Sequence, residues 1–265
     1  MTRLLGVRRA SAWIGAVLAV LSARPAEVTA FDFSIEPARV ELAVPAGKRR
    51  GKTVVINNSK SDHATHLAVY VRDVLYLPDG THDFPPPGST EWSCASWLQA
   101  TPTELDVPAG QMGEVRISAL APADAVGGHY AIVFFETAPA YEQGSIGVNF
   151  RVGALVEVLV PGTEAQAAKL ANLSFLPPKM IQADVFNEGN ALIRPKGKIK
   201  IFDGANQRVA QITFNPNRLG VLPKTLRTFP TTLETPLTSG TYRVRAELDY
   251  GTKQLLVGEL QTTVP

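Results

Sequence analysis

Cysteine is almost absent from this sequence: Cys94 is the only one in 265 residues. No intramolecular disulfide is possible, so stability must come from apolar cores. Cys94 lies between Trp92 and Trp97, and no adjacent Lys, Arg or His is present to depress its pKa. It is therefore expected to be a buried thiol that behaves as a small apolar side chain. Histidine is scarce too, with His63, His66, His82 and His129 only. His63 and His66, three apart on a strand, point to opposite faces, and no cysteine or acidic cluster accompanies them at a ligating spacing. No metal or cofactor is expected.

The usual catalytic signatures are missing as well. There is no Gly-x-Ser-x-Gly, and Ser118 and Ser174 fall at strand termini without a histidine motif. Glu136 and Glu157 are isolated carboxylates rather than an acid/base pair. Gly127-Gly128 feeds a strand, not a helix that could cradle phosphate. Scattered titratable groups on a β framework give no enzyme site, so the chain is expected to be non-enzymatic.

Charge is low and nearly balanced, with 26 Lys and Arg against 24 Asp and Glu for a net +2. Much of the basic excess sits at the start. Met1-Thr-Arg3-Leu-Leu-Gly-Val-Arg8-Arg9 is a basic region, Ala10 to Leu21 is apolar, and Val28-Thr29-Ala30 suits a signal-peptidase site. Residues 1–30 read as a secretory signal, too short in its apolar run for the about 20 residues a span requires. Its removal takes away Arg3, Arg8, Arg9, Arg24 and Glu27, which leaves a net charge of about −1. A nucleic-acid partner is thereby disfavoured. No later segment reaches spanning length without a charge or proline, so no membrane span is expected after the signal.

What remains is a succession of short β segments separated by Pro, Gly, Asn and Asp. Val40–Val44, Lys52–Ile56, His66–Arg72, Glu114–Ser118 and Tyr130–Glu136 alternate with turns such as Leu77-Pro-Asp-Gly80 and Asn57-Asn58-Ser59. About seven strands at this spacing are the pattern of an Ig-like sandwich. A second set follows over 171–176, 180–187, 197–203, 207–214, 225–233, 240–249 and 254–264, with Asn187-Glu-Gly189-Asn190 as one of its turns. Helix formers from Glu164 to Leu170 suggest at most one helical turn. The expected fold is all-β: two tandem immunoglobulin-like sandwiches, residues 31–162 and 163–265, after the signal.

One stretch stands out by length. From Ile146 to Val160, the residues Val148, Phe150, Val152, Ala154, Val156, Val158 and Val160 share one face. Gly147, Asn149, Arg151, Gly153 and Glu157 share the other, which is the two-residue period of a half-buried strand. So long a strand can join two sheets or offer an edge for another chain to pair with. Trp92, Trp97, Tyr130, Phe134 and Phe135 read as core and rim. Lys196, Lys198 and Lys200 alternate with Gly197, Ile199 and Ile201 as a solvated basic face that also guards a sheet edge.

The first of these regions resembles the periplasmic pilus-assembly chaperones of the PapD-like family. The resemblance runs through Ile35-Glu-Pro-Ala-Arg39-Val40, Val54-Val-Ile-Asn-Asn58, Leu105-x-Val-Pro-Ala-Gly110, Val115–Ser118 and Tyr130–Glu136-x-x-Pro139. It ends with the long strand closing at Pro161. It implies two Ig-like domains in a boomerang, with the long strand lent to an exported, pilin-like subunit that lacks a strand of its own. An outer-membrane assembly protein is implied as a further partner. Val148, Phe150 and Val152 would fill the subunit's open core. In the family, an arginine on the first strand and a lysine on the long strand grip the subunit's C-terminal carboxylate. Arg39 matches the arginine. Aligning the closing proline on Pro161 puts Val156 at the lysine position, between Leu155 and Glu157, so no cation stands there. It also shifts the apolar alternation by one residue, which a bulge would have to absorb. Arg151 is the cation on the strand that could substitute.

The sequence thus points to a periplasmic chaperone-like protein that binds subunits through Arg39, Val148, Phe150, Arg151 and Val152. The alternative is an extracellular or cell-surface Ig-like adhesion or scaffold module that binds envelope polymer or a surface protein.

Overall fold

A computed structural model of the chain describes residues 33–138 and 148–265. The expected signal, residues 1–30, lies outside the described residues, as do Pro139, Ile146 and Gly147. Among the described residues one 3-10 turn, Ala95–Trp97, interrupts an all-β architecture. No helix there is long and apolar enough to cross a membrane.

The first sandwich contains β1 (Ser34–Glu36), β2 (Arg39–Ala43), β3 (Arg49–Asn57), β4 (Thr65–Arg72), the small hairpin β5 (Leu75–Tyr76) and β6 (His82–Asp83), β7 (Leu98–Thr101), β8 (Glu104–Val107), β9 (Met112–Leu120), β10 (Gly127–Thr137) and β11 (Arg151–Val160). One sheet has the order β1-β3-β9-β7 and the other β2-β11-β10-β4-β8. Their facing residues alternate along each strand, as the pleat requires. Val54, Ile56, Val115 and Ile117 from one sheet meet Leu67, Val133, Phe135 and Val156 from the other in a single core. Cys94 is fully buried in that core, and burial pushes its thiol well above the usual range, so it is inert packing.

The second sandwich has β12 (Ala168–Leu176), β13 (Met180–Asn187), β14 (Lys196–Phe202), β15 (Arg208–Phe214), β16 (Leu226–Thr232), β17 (Gly240–Asp249) and β18 (Leu255–Val264). The sheets are ordered β12-β13-β16 and β15-β14-β17-β18, around a core that includes Ile181, Ile199, Phe214 and Leu248. Two sequence expectations change here. The helix formers near Ala168 enter β12 instead, because pairing with β13 outweighs local propensity. The lysine strand β14 is central rather than an edge, so its lysines guard nothing. Lys200 pairs with Glu247 at 2.6 Å and Lys196 with Asp249 at 3.4 Å, across to β17.

The sandwiches meet through a small apolar cluster. Val74, Tyr76, Trp92, Tyr130 and Leu155 of the first pack with Leu192 and Leu222 of the second. The Tyr130 hydroxyl accepts the Leu192 N–H at 2.6 Å, and Gly128 donates its N–H to the Asn190 carbonyl at 2.8 Å. A Cβ on Gly128 would sit 2.1 Å from that hydroxyl, so the close approach demands glycine. The β5–β6 turn reaches across as well, where the Pro78 carbonyl accepts the Thr228 N–H at 2.8 Å. These bonds explain why Leu155 departs from the simple alternation: the outer face of β11 is covered at this junction.

Candidate functional site

The site grows from β11. Its even-numbered residues Ala154, Val156, Val158 and Val160 are buried in the first core and Val152 is half-buried. Val148 and Phe150 continue the same parity past the core and are 52% and 39% exposed. Regular pairing with β10 runs without a shift from Gly127–Val160 to Glu136–Arg151. The strand therefore begins at Arg151 rather than Ile146, and no bulge within this pairing absorbs the offset inferred from Pro161. The ladder stops because the Phe150 N–H donates to the Thr137 side-chain hydroxyl at 3.0 Å, while the Phe150 carbonyl still accepts the Thr137 N–H at 2.9 Å.

Alternation of bonding direction then decides which groups face outward. Even-numbered residues of β11 bond inward to β10, and odd-numbered ones face the opposite edge. There β2 lies parallel, from Arg39 opposite Leu155 to Ala43 opposite Leu159. The Leu155 N–H donates to the Ala38 carbonyl at 3.0 Å, and Val44 donates to the Leu159 carbonyl at 2.8 Å. Before Leu155 no strand among the described residues pairs with this edge. Arg151 and Gly153 thus turn their main-chain N–H and C=O groups to an open edge, beside exposed Val148 and Phe150.

Arg39, the first residue of β2, marks where the open edge ends. Its Nε lies 3.2 Å from Glu157 Oε1, and the side chain is about half-exposed. The same Glu157 oxygen also receives Arg194 Nη2 from the second sandwich. Val156, placed at the lysine position by the closing proline, is buried in the core, whereas Glu157 faces the junction. Arg194 is thus a cation that sequence reasoning missed. It lies 37 residues from Glu157 and in the other sandwich, so no local spacing could have exposed it.

Arg151 sits elsewhere. Its guanidinium lies 4.3 Å from the centre of the Phe134 ring and 3.4 Å from the Tyr70 hydroxyl, on the outer face of the sheet. Tyr70 donates to Glu136, which also accepts from Asn149 at 3.2 Å. These bonds, Tyr70 foremost, hold the Glu136 carboxyl below the usual carboxylate range. The structure therefore brings Val148, Phe150 and Val152 onto one line, puts Arg39 at its end, and sets the Arg151 side chain on the other face. His66 contacts Asp106 at 2.7 Å and His63 contacts Asp62 at 3.0 Å, as separate exposed pairs.

This arrangement of two packed Ig-like sandwiches is also the fold of solved fimbrial chaperones. A chain of the solved chaperone–tip adhesin complex of CFA/I fimbriae is 18% identical, with 88% of this chain and 99% of that chain covered and a TM-score of 0.52. The Class 5 fimbriae chaperone CfaA is 20% identical, with 88% and 100% covered and a TM-score of 0.50. At these identities the likeness establishes a common fold. No family model and no curated protein sequence matches the chain.

Proposed function

We propose that this chain is a periplasmic, non-enzymatic chaperone for fimbrial or other secreted subunits, which it holds by β-strand addition along the open edge of β11. The observation that carries this reading is the edge itself: outward-facing main chain at Arg151 and Gly153, flanked by exposed Val148 and Phe150 and closed by Arg39. Main-chain bonds would supply affinity, and Val148, Phe150 and Val152 would enter the subunit's incomplete core. Arg151 contributes through its backbone, while its side chain, stacked on Phe134, stiffens the edge.

Charge sets the polarity of the added strand. Because β2 runs parallel to β11, a subunit strand in that orientation would end against Arg39 and present its chain-end carboxylate to the guanidinium. The opposite polarity would bring an ammonium there instead. The similar CFA/I structure is a complex of a chaperone with a tip adhesin, which agrees with a subunit as ligand. In this reading residues 1–30 direct export, the sandwiches divide at 162/163, and an outer-membrane assembly protein receives the loaded chaperone.

Co-expression with an exported subunit encoded nearby tests the proposal. A stoichiometric complex should co-purify, and Arg39→Ala should weaken it about tenfold through loss of one charge-assisted contact. Binding to purified envelope polymer with no subunit captured would favour the adhesion or scaffold alternative instead.

A further inference from the structure

We propose that Arg227 anchors a second binding site, which takes the carboxylate of a small organic acid in the groove between β15 and β16. The site is separate from the open edge of β11 and does not rest on it. Arg227 lies on β16 with the inward parity of Phe229, and only 6% of it is exposed. Its guanidinium sits 5.7 Å from the ring centres of Tyr76 and of Phe229. Nη1 donates to the Gly220 carbonyl at 3.0 Å, its one hydrogen bond among the described residues, and no carboxylate pairs with it there. A buried charge is ordinarily paired, because its lost hydration must be replaced. Burial pushes the Arg227 pKa down, and only the Tyr76 hydroxyl works against that.

The unused donors have the right shape. Nε and Nη2 form one side of the planar guanidinium, the pair that grips both oxygens of a carboxylate. Neither has a hydrogen-bond partner among the described residues. Arg227 lines a cleft of about 480 Å³ between the two strands, a size that suits a small molecule. Its walls are mixed, with Ile212, Leu219 and Phe229 apolar and Asn217 and Thr232 polar, which suits an organic acid better than a bare inorganic ion. Gly80 of the β5–β6 turn shapes the mouth. Its φ of 89° already favours glycine, and a Cβ there would lie 2.9 Å from Nη2, in the space a bound oxygen would take.

Nearby carboxylates do not fill the site. Asp79 lines the cleft, but it is exposed at the rim and its Oδ1 accepts the Thr81 N–H at 2.9 Å and the Thr81 hydroxyl at 2.7 Å. Water screens so exposed a charge, which weakens an arriving anion's hold without replacing it. Asp184 belongs to the outer face of its sheet, where it accepts the Thr228 hydroxyl at 2.7 Å. Since Gly80 comes from the first sandwich and Arg227 from the second, an occupant touches both and ties them together.

The test follows the arginine Nε–H signals of the whole protein by NMR. Acetate, glucuronate and benzoate are titrated against chloride at constant ionic strength, with glucose and benzyl alcohol as uncharged counterparts. The Arg227 signal should move with the acids and stay in place with chloride and the uncharged compounds. Glucuronate or benzoate should bind about tenfold tighter than acetate, and which of them does so identifies the body the cleft prefers. Arg227→Lys should weaken that acid about tenfold, because an ammonium cannot grip both oxygens. Leu219→Glu, at a position 42% exposed, should weaken it about threefold by adding a like charge to the wall. An Arg227 signal that answers the acids as it answers chloride overturns the proposal, and so does acetate binding as tightly as both larger acids. If Arg227→Lys fails to fold, Leu219→Glu decides, and unchanged binding there refutes the site.

Discussion

Replacing Phe150 by aspartate should abolish subunit capture while leaving the free protein about as stable as before. The ring is 39% exposed, and substitutions at such positions usually stay within about 0.5 kcal/mol. In the proposed complex the same position enters the subunit's core, where an unpaired carboxylate costs on the order of 3–5 kcal/mol, more than a hundredfold in affinity. Val148→Asp should behave alike, since Val148 shares the parity and is 52% exposed. Val152→Asp should be less informative, because Val152 is half-buried in the free chain and its loss would lower stability. Pull-down against thermal melting separates the two effects. Undiminished capture by Phe150→Asp would exclude this face of the strand from the interface.

A comparably large effect, on stability, is expected at Asn187. This fully buried amide ends β13, donates to the Ala191 carbonyl at 2.8 Å and the Val221 carbonyl at 2.9 Å, and accepts the Gly189 N–H at 2.9 Å. Asn187→Ala would leave the Ala191 carbonyl unpaired and take one of two bonds from the Val221 carbonyl, which also accepts the Ile193 N–H, and from the Gly189 N–H, which also meets the Ala167 carbonyl. At about 1–3 kcal/mol for one buried group left unsatisfied and about 1 kcal/mol for each further bond lost, a loss on the order of 3 kcal/mol follows. The damage should extend beyond the second sandwich. The loop that Asn187 pins carries the Asn190 carbonyl and the Leu192 N–H, which hold Gly128 and Tyr130 of the first sandwich. Denaturation midpoints would show it, and a loss below about 1 kcal/mol would mean that water replaces the amide. Asn58 has the same place in the first sandwich, with Nδ2 on the carbonyls of His63, Val107 and Pro108.

What could be read from the residues was what depends on neighbours in sequence. Every strand of the second sandwich follows from period-two alternation bounded by turn residues, to within a few positions. The parity of β11 was equally legible, because the pleat fixes it. Asn187-Glu-Gly189-Asn190 announced a turn, though not that the first amide is the buried peg of the junction. Pairings between distant segments were hidden. Leu77-Pro-Asp-Gly80 was evident as a turn, but its seat against Thr228 belongs to another sandwich. Leu155 looked like a flaw in the alternation until the cluster around Tyr130 gave it a place. At the site, Arg39 could be found from its setting in Ile35–Val40, whereas its partnership with Glu157 and Arg194 needed the fold. No lysine stands at that position of the strand; the structure sets Arg194 of the second sandwich on the same Glu157 oxygen as Arg39.

Strand addition makes one demand that no side-chain substitution probes as directly: the outward amides of Arg151 and Gly153 must become hydrogen-bonded when a subunit is held. Amide hydrogen exchange on the free chain and on the purified complex measures this residue by residue. Slowing of both amides by about tenfold or more, with the intervening Val152 amide already protected by β10 and little changed, is the expected pattern. A bound subunit that leaves the Arg151 and Gly153 amides exchanging as they do in the free chain would contradict strand addition at this edge.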